Sequence, residues 1–481
     1  MAPWEYEFAP SFINGGHFHV TDPGPLHAPI LDFSIRRDED LELVLETQAP
    51  SDAKSAAIER SSGTIRITTE WVELENAGGL KAKLSGVVPF SKRIYDNYET
   101  GEGKLVEKAR IHELEVTIPE AVQPAYTIEW LENLPIEPFV WPGFVKTKTE
   151  TKKTRTIELG DEGLTLLSEE SGQSSTRAAA KIVVAGAEVY VCALHREDSK
   201  GFIKPGCIVY RGKPDDDFRK KLRLALSFAL NVYLVELGSA VLSEDWHIVS
   251  FKARSAYSID RKVFGLPVLM PAPLDPRFVH GLDRVRLTRL MNAIVDKYEL
   301  LDFPDLSWAY WHALCAAPHI ASVHFGAAIE LLLRQYAATK PDRFRRKIVD
   351  GASIWDRFSA QVSEAVAALE ISQEKKDAIQ KNVGGLNRVH QRDFIDSVLK
   401  DLGIALGPDE IRAWQRRNEA AHGIAMEAGA ELDVIRDIKL LKVMFHRMLL
   451  RIVNGADDYT DYVTPGFPIR KLAEPVPPLT A

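Results

Sequence analysis

Between Leu266 and Pro276 the chain carries Pro267, Pro271, Pro273 and Pro276. Proline fixes φ and removes a backbone donor, so neither a helix interior nor a central strand runs through such a stretch. It reads as a linker, and the hydrophobic period changes across it. Before it, Leu41-Glu42-Leu43-Val44-Leu45-Glu46, Thr64 to Thr68 and Ile111 to Ile118 alternate apolar and polar residues, the period of a half-buried strand. After it, apolar residues recur every three or four positions, as in Phe325, Ile329, Leu332 and Leu333. The expected fold class is therefore α+β. A β-rich N-terminal domain spans 1–273, an all-α bundle spans 274–456, and an extended proline-rich tail spans 457–481.

Several elements are legible within this frame. Lys181-Ile182-Val183-Val184 and Val189-Tyr190-Val191-Cys192 read as two strands around a turn at Gly186. The Lys/Thr alternation from Thr147 to Thr156 reads as a solvated edge strand or hairpin. Pro214 followed by Asp215, Asp216 and Asp217 is a helix start, and the apolar run that follows predicts one long helix over about 215–242. That run contains Arg223, Asn231 and Glu236, which argue against a membrane span. Beyond the linker, helices are predicted from Asp275-Pro276, over Trp308 to Tyr336 with a break near Pro318, over Ile354 to Leu369, over Ser372 to Val383, from Pro408 to about Gly423, and over Leu432 to Val453.

Length and composition fit a multi-domain globular protein: 481 residues, 45% hydrophobic and 27% charged. The net charge of −8 means that contact with nucleic acid has to come from a local basic patch. Three cysteines, Cys192, Cys207 and Cys315, argue for a reducing compartment. The first residues lack a basic stretch followed by an apolar run, so no secretory leader is expected and the expected location is cytoplasmic.

The segment that carries chemistry lies in the helix from Pro408. Asn418 and His422 are four residues apart, about 40° around a helix axis, so Asn418 can hold a ring nitrogen of His422. Glu419, three residues before His422, can do the same. Arg417 points about 140° away from His422 on an ideal helix. A histidine titrating near neutrality can take the proton of an RNA 2′-hydroxyl, and an arginine fork can stabilise the phosphate as charge develops. Such chemistry needs no metal and yields a 2′,3′-cyclic phosphate and a 5′-hydroxyl. The Arg-x4-His spacing alone carries little, since one such pairing arises by chance in a chain of this composition. The competing reading is a helix end whose cations match the dipole in a non-catalytic dimerisation or scaffold module.

The run Trp414-Gln415-Arg416-Arg417-Asn418-Glu419-Ala420-Ala421-His422-Gly423 resembles the Arg-Asn-x-x-x-His motif of HEPN domains. The helix Ser322 to Leu332 resembles their early helix with its acidic residue, here Glu330. The likeness covers about residues 300–455, and the layout of a long N-terminal region before a C-terminal HEPN domain is similar to the ApeA-like proteins of bacterial anti-phage defence. The resemblance implies Arg417, Asn418 and His422 as catalytic residues, with Glu330, Glu419 and Arg416 in support. It also implies a homodimer through the HEPN domain, metal-independent endoribonuclease activity toward RNA with tRNA among the candidates, and toxicity that arrests the infected cell. A phage-derived trigger would then act on the N-terminal domain.

Other groups fit poorly with chemistry. His17-x-His19, and Cys192-x-x-His195 with Cys207, do not complete a metal-ligand spacing, and neither metal nor cofactor is expected. No Gly-x4-Gly-Lys-Ser/Thr loop and no Gly-x-Ser-x-Gly elbow occurs. Arg343, Arg345, Arg346 and Lys347 form one basic cluster, and Arg388 with Arg392 a second, either of which can follow an RNA backbone or be a solvated turn.

Overall fold

A computed structural model of the chain describes residues 7–55, 70–96, 103–118, 123–135, 141–159, 162–193, 206–256, 272–274, 283–345, 347–349, 351–383, 385–421 and 429–478. The architecture is α+β, with two units, Met1–Val295 and Asp296–Ala481. No described helix is long and apolar enough to cross a membrane.

Among the described residues of the first unit the period-two segments form two main antiparallel sheets, beside a two-stranded pair of His27–Ala28 with Lys54–Ser55. The larger has eleven strands in the order Phe18–Asp22, Trp71–Asn76, Lys81–Ser85, Glu113–Thr117, Ile248–Arg254, Glu236–Leu242, Tyr126–Leu131, Gly206–Arg211, Ala187–Ala193, Glu162–Val184 and Gly143–Leu159. The smaller has four, Asp32–Arg37, Leu43–Pro50, Gly103–Ile111 and Val88–Asp96. Inward residues of both, among them Leu43, Leu45 and Ile111 from one and Leu84, Val116 and Phe251 from the other, share one hydrophobic cluster. The segment read as one strand over Ile111 to Ile118 is instead two, since the chain passes from the smaller sheet to the larger at His112. The Lys/Thr alternation lies in the terminal strand of the large sheet, and Gly186 turns the neighbouring hairpin with φ 83°. Thr64 to Thr68 lies outside the described residues.

The described helices of this region are α1 (Phe8–Gly15), α2 (Asp216–Leu230) and α3 (Arg284–Asp296). The single helix expected over 215–242 is a correction. Asp215 caps α2 by accepting the Phe218 N–H at 2.6 Å, but Asn231 takes the left-handed conformation, φ 51°, and ends it. Glu236–Leu242 is then a strand inside the large sheet, buried along nearly its whole length. A strand covered on both faces reads as a continuous apolar run, which is why its period was invisible. Glu129, fully buried, receives Arg223 of α2 at 2.5 Å, and Glu236 receives both Arg223 and Arg254 at 2.9 Å. Burial pushes the Glu129 carboxyl above its ordinary value, against the pull of Arg223. The contact-defined units divide at 295/296, whereas the proline-dense stretch divides the sequence at 273/274. Asn292 of α3 accepts the Ala185 N–H at 2.9 Å and donates to the Val183 carbonyl at 2.7 Å, tying this helix to the β-rich unit.

The second unit contains α4 (Phe303–Cys315), α5 (Pro318–Ala338), α6 (Ala352–Ala367), α7 (Gln373–Val383), α8 (Gln391–Leu402), α9 (Pro408–Ala421) and α10 (Glu431–Val453). Helix α5 packs against α4, α9 and α10, burying the Phe325, Ile329, Leu332 and Leu333 stripe. The tail expected to be extended folds back instead. Asp458–Thr460 and Ile469–Lys471 pair as a hairpin. Arg447 of α10 donates to the Leu472 carbonyl at 3.1 Å and lies 5.0 Å from the Tyr459 ring centroid. A buried guanidinium needs acceptors, and the returning tail supplies one.

Candidate active site on the second unit

The helix that carries the motif is fixed at its start. Pro408 opens α9, and Glu410 reaches back so that its Oε2 accepts the Gly407 N–H at 2.7 Å, half of a capping box. The other Glu410 oxygen holds Arg447 of α10, and both side chains are 0% exposed. Asp409 binds Arg436 of α10 at 2.6 Å, and Arg416 reaches Asp437 of α10 at 3.2 Å. Ion pairs made by Asp409, Glu410 and Arg416 thus set α9 against α10 along its length. Arg416, expected as a supporting residue of the site, is engaged with α10.

Arg417 faces the other way, onto α5, and is only 8% exposed. Its Nη2 donates to Glu330 Oε1 at 2.5 Å. Its guanidinium carbon lies 3.4 Å from the Trp414 ring centroid, a cation–π stack one helical turn long. The slot exists because α5 has a glycine at 326: a Cβ there would meet Arg417 Cδ at 2.5 Å and Nη1 at 2.6 Å. Burial draws the Arg417 pKa below its ordinary value, and the Glu330 carboxylate opposes that shift. Arg417 Nε is buried with no hydrogen-bond partner among the described residues. Glu330 also accepts Arg334 Nη2 at 2.9 Å, so it serves both the helix-surface pair and the arginine of the motif.

The structure therefore brings Arg417 and Glu330 together. His422 lies outside the described residues, as do the side chains of Asn418 and Glu419 in the last turn of α9. Two contributors escaped sequence reasoning. Gly326 inside a helix is unfavourable by about 1 kcal/mol, and such a glycine signals a packing reason. Helix α8 was not expected either, although Ile395, Val398, Leu399 and Leu402 have helical spacing and Gly403 takes the left-handed cap.

With α8 in place a cavity of about 490 Å³ opens beside Arg417. Ile329, Met444 and Met448 line it on the apolar side, Trp414 stands beside Arg417, and His390 and Arg392 stand at the start of α8. His390 Nδ1 caps α8 by accepting the Arg392 N–H at 3.3 Å. The two basic clusters seen in the sequence meet nearby: Lys347 and Arg388 form a β-bridge, and Asn387 Oδ1 accepts the Val349 N–H at 2.7 Å. Arg343 is taken up by Asp401 at 2.5 Å. Arg346 lies outside the described residues.

Cys192 and Cys207 are register partners on adjacent strands, and His195 lies outside the described residues. Among the described residues no group of three or more His, Cys, Asp or Glu side chains is placed to hold a metal ion. Neither a scan against protein-family models nor a search of curated proteins returns a match to this chain.

Proposed function

We propose that the second unit is a HEPN-type endoribonuclease that cleaves RNA by metal-independent transesterification. The observation that carries this reading is the seating of Arg417 between Gly326, Glu330 and Trp414, five residues before His422 in sequence. A catalytic arginine has to be held in one orientation for its donors to meet a phosphate as charge develops. In this reading His422 takes the 2′-hydroxyl proton and the freed oxygen attacks the adjacent phosphorus. The 5′-oxygen leaves, taking a proton, and Arg417 stabilises the phosphorane. Two copies related by a two-fold axis supply two histidines, one for each proton transfer. The β-rich unit before a helical one resembles the ApeA-like layout, which supports a role in cytoplasmic anti-phage defence in which the β-rich unit receives a phage-derived trigger.

Cleavage of labelled RNA by the purified full chain, in excess chelator, tests the reaction class. The expected products carry a 2′,3′-cyclic phosphate and a 5′-hydroxyl. Cleavage that stops with chelator and returns with Mg²⁺ refutes the mechanism.

One observation favours a second reading. The Arg417 side chain is 9% exposed and paired with Glu330, which also suits a purely structural clamp between α9 and α5 in a dimerisation module. On that reading both residues affect stability and no RNA is cut.

A further inference from the structure

We infer that the cavity between α8, α9 and the floor formed by α5 and α10 is a nucleotide subsite, taking one unstacked nucleotide of single-stranded RNA beside the phosphate bound by Arg417. This rests on the ribonuclease reading for the identity of the strand, but the cavity supplies its own argument. Its volume, about 490 Å³, falls in the range of about 300–1,000 Å³ typical of small-ligand pockets. Its chemistry is two-sided. Leu406, Ile411 and Trp414, over a floor of buried Ile329, Met444 and Met448, give an apolar surface suited to a base or ribose face. Arg392 and His390 give cationic and hydrogen-bonding groups at the N-terminus of α8, where backbone N–H groups and the helix dipole favour an anion. His390 already uses Nδ1 for the Arg392 N–H, so its neutral form keeps Nε2–H as a donor.

A nucleotide is the ligand that asks for both faces at once, an aromatic plane and a phosphate. Arg417 adds a second point, since it lines the same cavity with a side chain that is more than nine-tenths buried and whose Nε has no partner among the described residues. A third point lies outside the cavity. The Lys347–Arg388 bridge sets two exposed cations side by side, Arg388 four residues before Arg392 in the chain, and neither is ion-paired among the described residues. Arg392 itself is only loosely paired, 4.0 Å from Asp396. A strand whose phosphates follow Arg388 and Arg392 delivers its next base to the cavity. Duplex RNA cannot, because its bases stay stacked.

The test uses the full chain and an all-2′-O-methyl tetraribonucleotide, which lacks the attacking hydroxyl, with binding read by fluorescence anisotropy at low salt. Wild-type protein is expected to bind it and to bind the same sequence as a duplex much more weakly. Arg392→Glu, on the exposed rim, and Leu406→Trp, which fills the cavity from a half-buried wall, should each weaken binding at least about tenfold. Thermal midpoints of both variants check folding. If Leu406→Trp unfolds the protein, Arg392→Glu decides alone. The proposal is overturned if the wild type does not bind the oligonucleotide, or if folded variants bind as the wild type does. It is likewise overturned if Leu406→Trp changes the oligomeric state and leaves affinity intact, which would assign the cavity to a second copy of the chain. RNA cleaved normally by both variants removes the subsite and leaves the ribonuclease reading standing. Wild-type protein that binds the oligonucleotide but cuts no RNA does the reverse.

Discussion

Gly326 of α5 and Arg417 of α9 occupy the same space to within one methyl group: a Cβ on Gly326 would sit 2.5 Å from Arg417 Cδ. Gly326→Ala is therefore predicted to displace the guanidinium. The better helix propensity of alanine contributes about 1 kcal/mol and offsets part of the crowding, so the thermal midpoint should move little. Cleavage should fall about 10²-fold, the size expected when a catalytic group is misplaced by about an ångström. An alanine variant with wild-type cleavage would mean that the seat of Arg417 is irrelevant to activity.

Arg417→Lys separates charge from shape. Lysine keeps the positive charge near Glu330 but loses the planar fork and the stack on Trp414. Cleavage should fall at least about 10²-fold while the protein stays folded. Glu330→Gln should act mainly on stability, destabilising by about 1–3 kcal/mol in denaturant melts, because it leaves the buried Arg417 charge without its carboxylate. Equal loss of stability in both variants, with no cleavage by the wild type, would favour the structural-clamp reading.

Lys442 on α10 makes stability depend on pH. It is 6% exposed, and burial pushes its pKa from 10.5 down to about 7. The unfolded chain holds that proton up to about pH 10.5, whereas the folded chain releases it near 7. Between these values the unfolded state binds more protons, so stability rises with pH. One turn along, His446 accepts or donates to the Tyr310 hydroxyl at 2.8 Å, and burial holds its pKa well below the usual value. Acidification below about 6.5 therefore destabilises the same region further. Thermal melts from pH 6 to 10 should show a rising midpoint. Lys442→Met should raise the midpoint at pH 7 and flatten the upper part of the curve. A flat wild-type profile would contradict this.

In the β-rich unit, Glu129→Ala leaves Arg223 and Arg219 without the carboxylate they share in the interior. Removing one partner of a buried ion cluster typically destabilises by about 3–5 kcal/mol. The unfolding transition of this unit should shift accordingly. A change under 1 kcal/mol would show that water or Glu236 takes over the pairing.

The α+β order, the helix pairs around Pro318 and the edge hairpin were legible because each has a clear period or a proline at its boundary. The strand Glu236–Leu242 was not, because a strand buried on both faces has no alternation to read. The tail was misread for a related reason: its prolines suggested an extended path, yet the acceptor that Arg447 needs is the Leu472 carbonyl, a contact no local pattern announces. At the site, Arg417 and Glu330 were legible as a motif and an acidic helix position. For Glu330 the sequence left two roles open, orienting His422 or Arg417 and pairing with Arg334 one turn on, and it makes ion pairs with both arginines; the cavity, which depends on α8, was not legible.

Cleavage of RNA by His422→Ala tests the central claim most directly. The variant is assayed as purified full chain beside the wild type, in excess chelator, with its thermal midpoint measured. Loss of a general acid–base group is worth about 10²–10⁴ in rate, so cleavage should drop by at least that much with the midpoint nearly unchanged. A folded His422→Ala protein that cuts RNA at the wild-type rate would contradict the account.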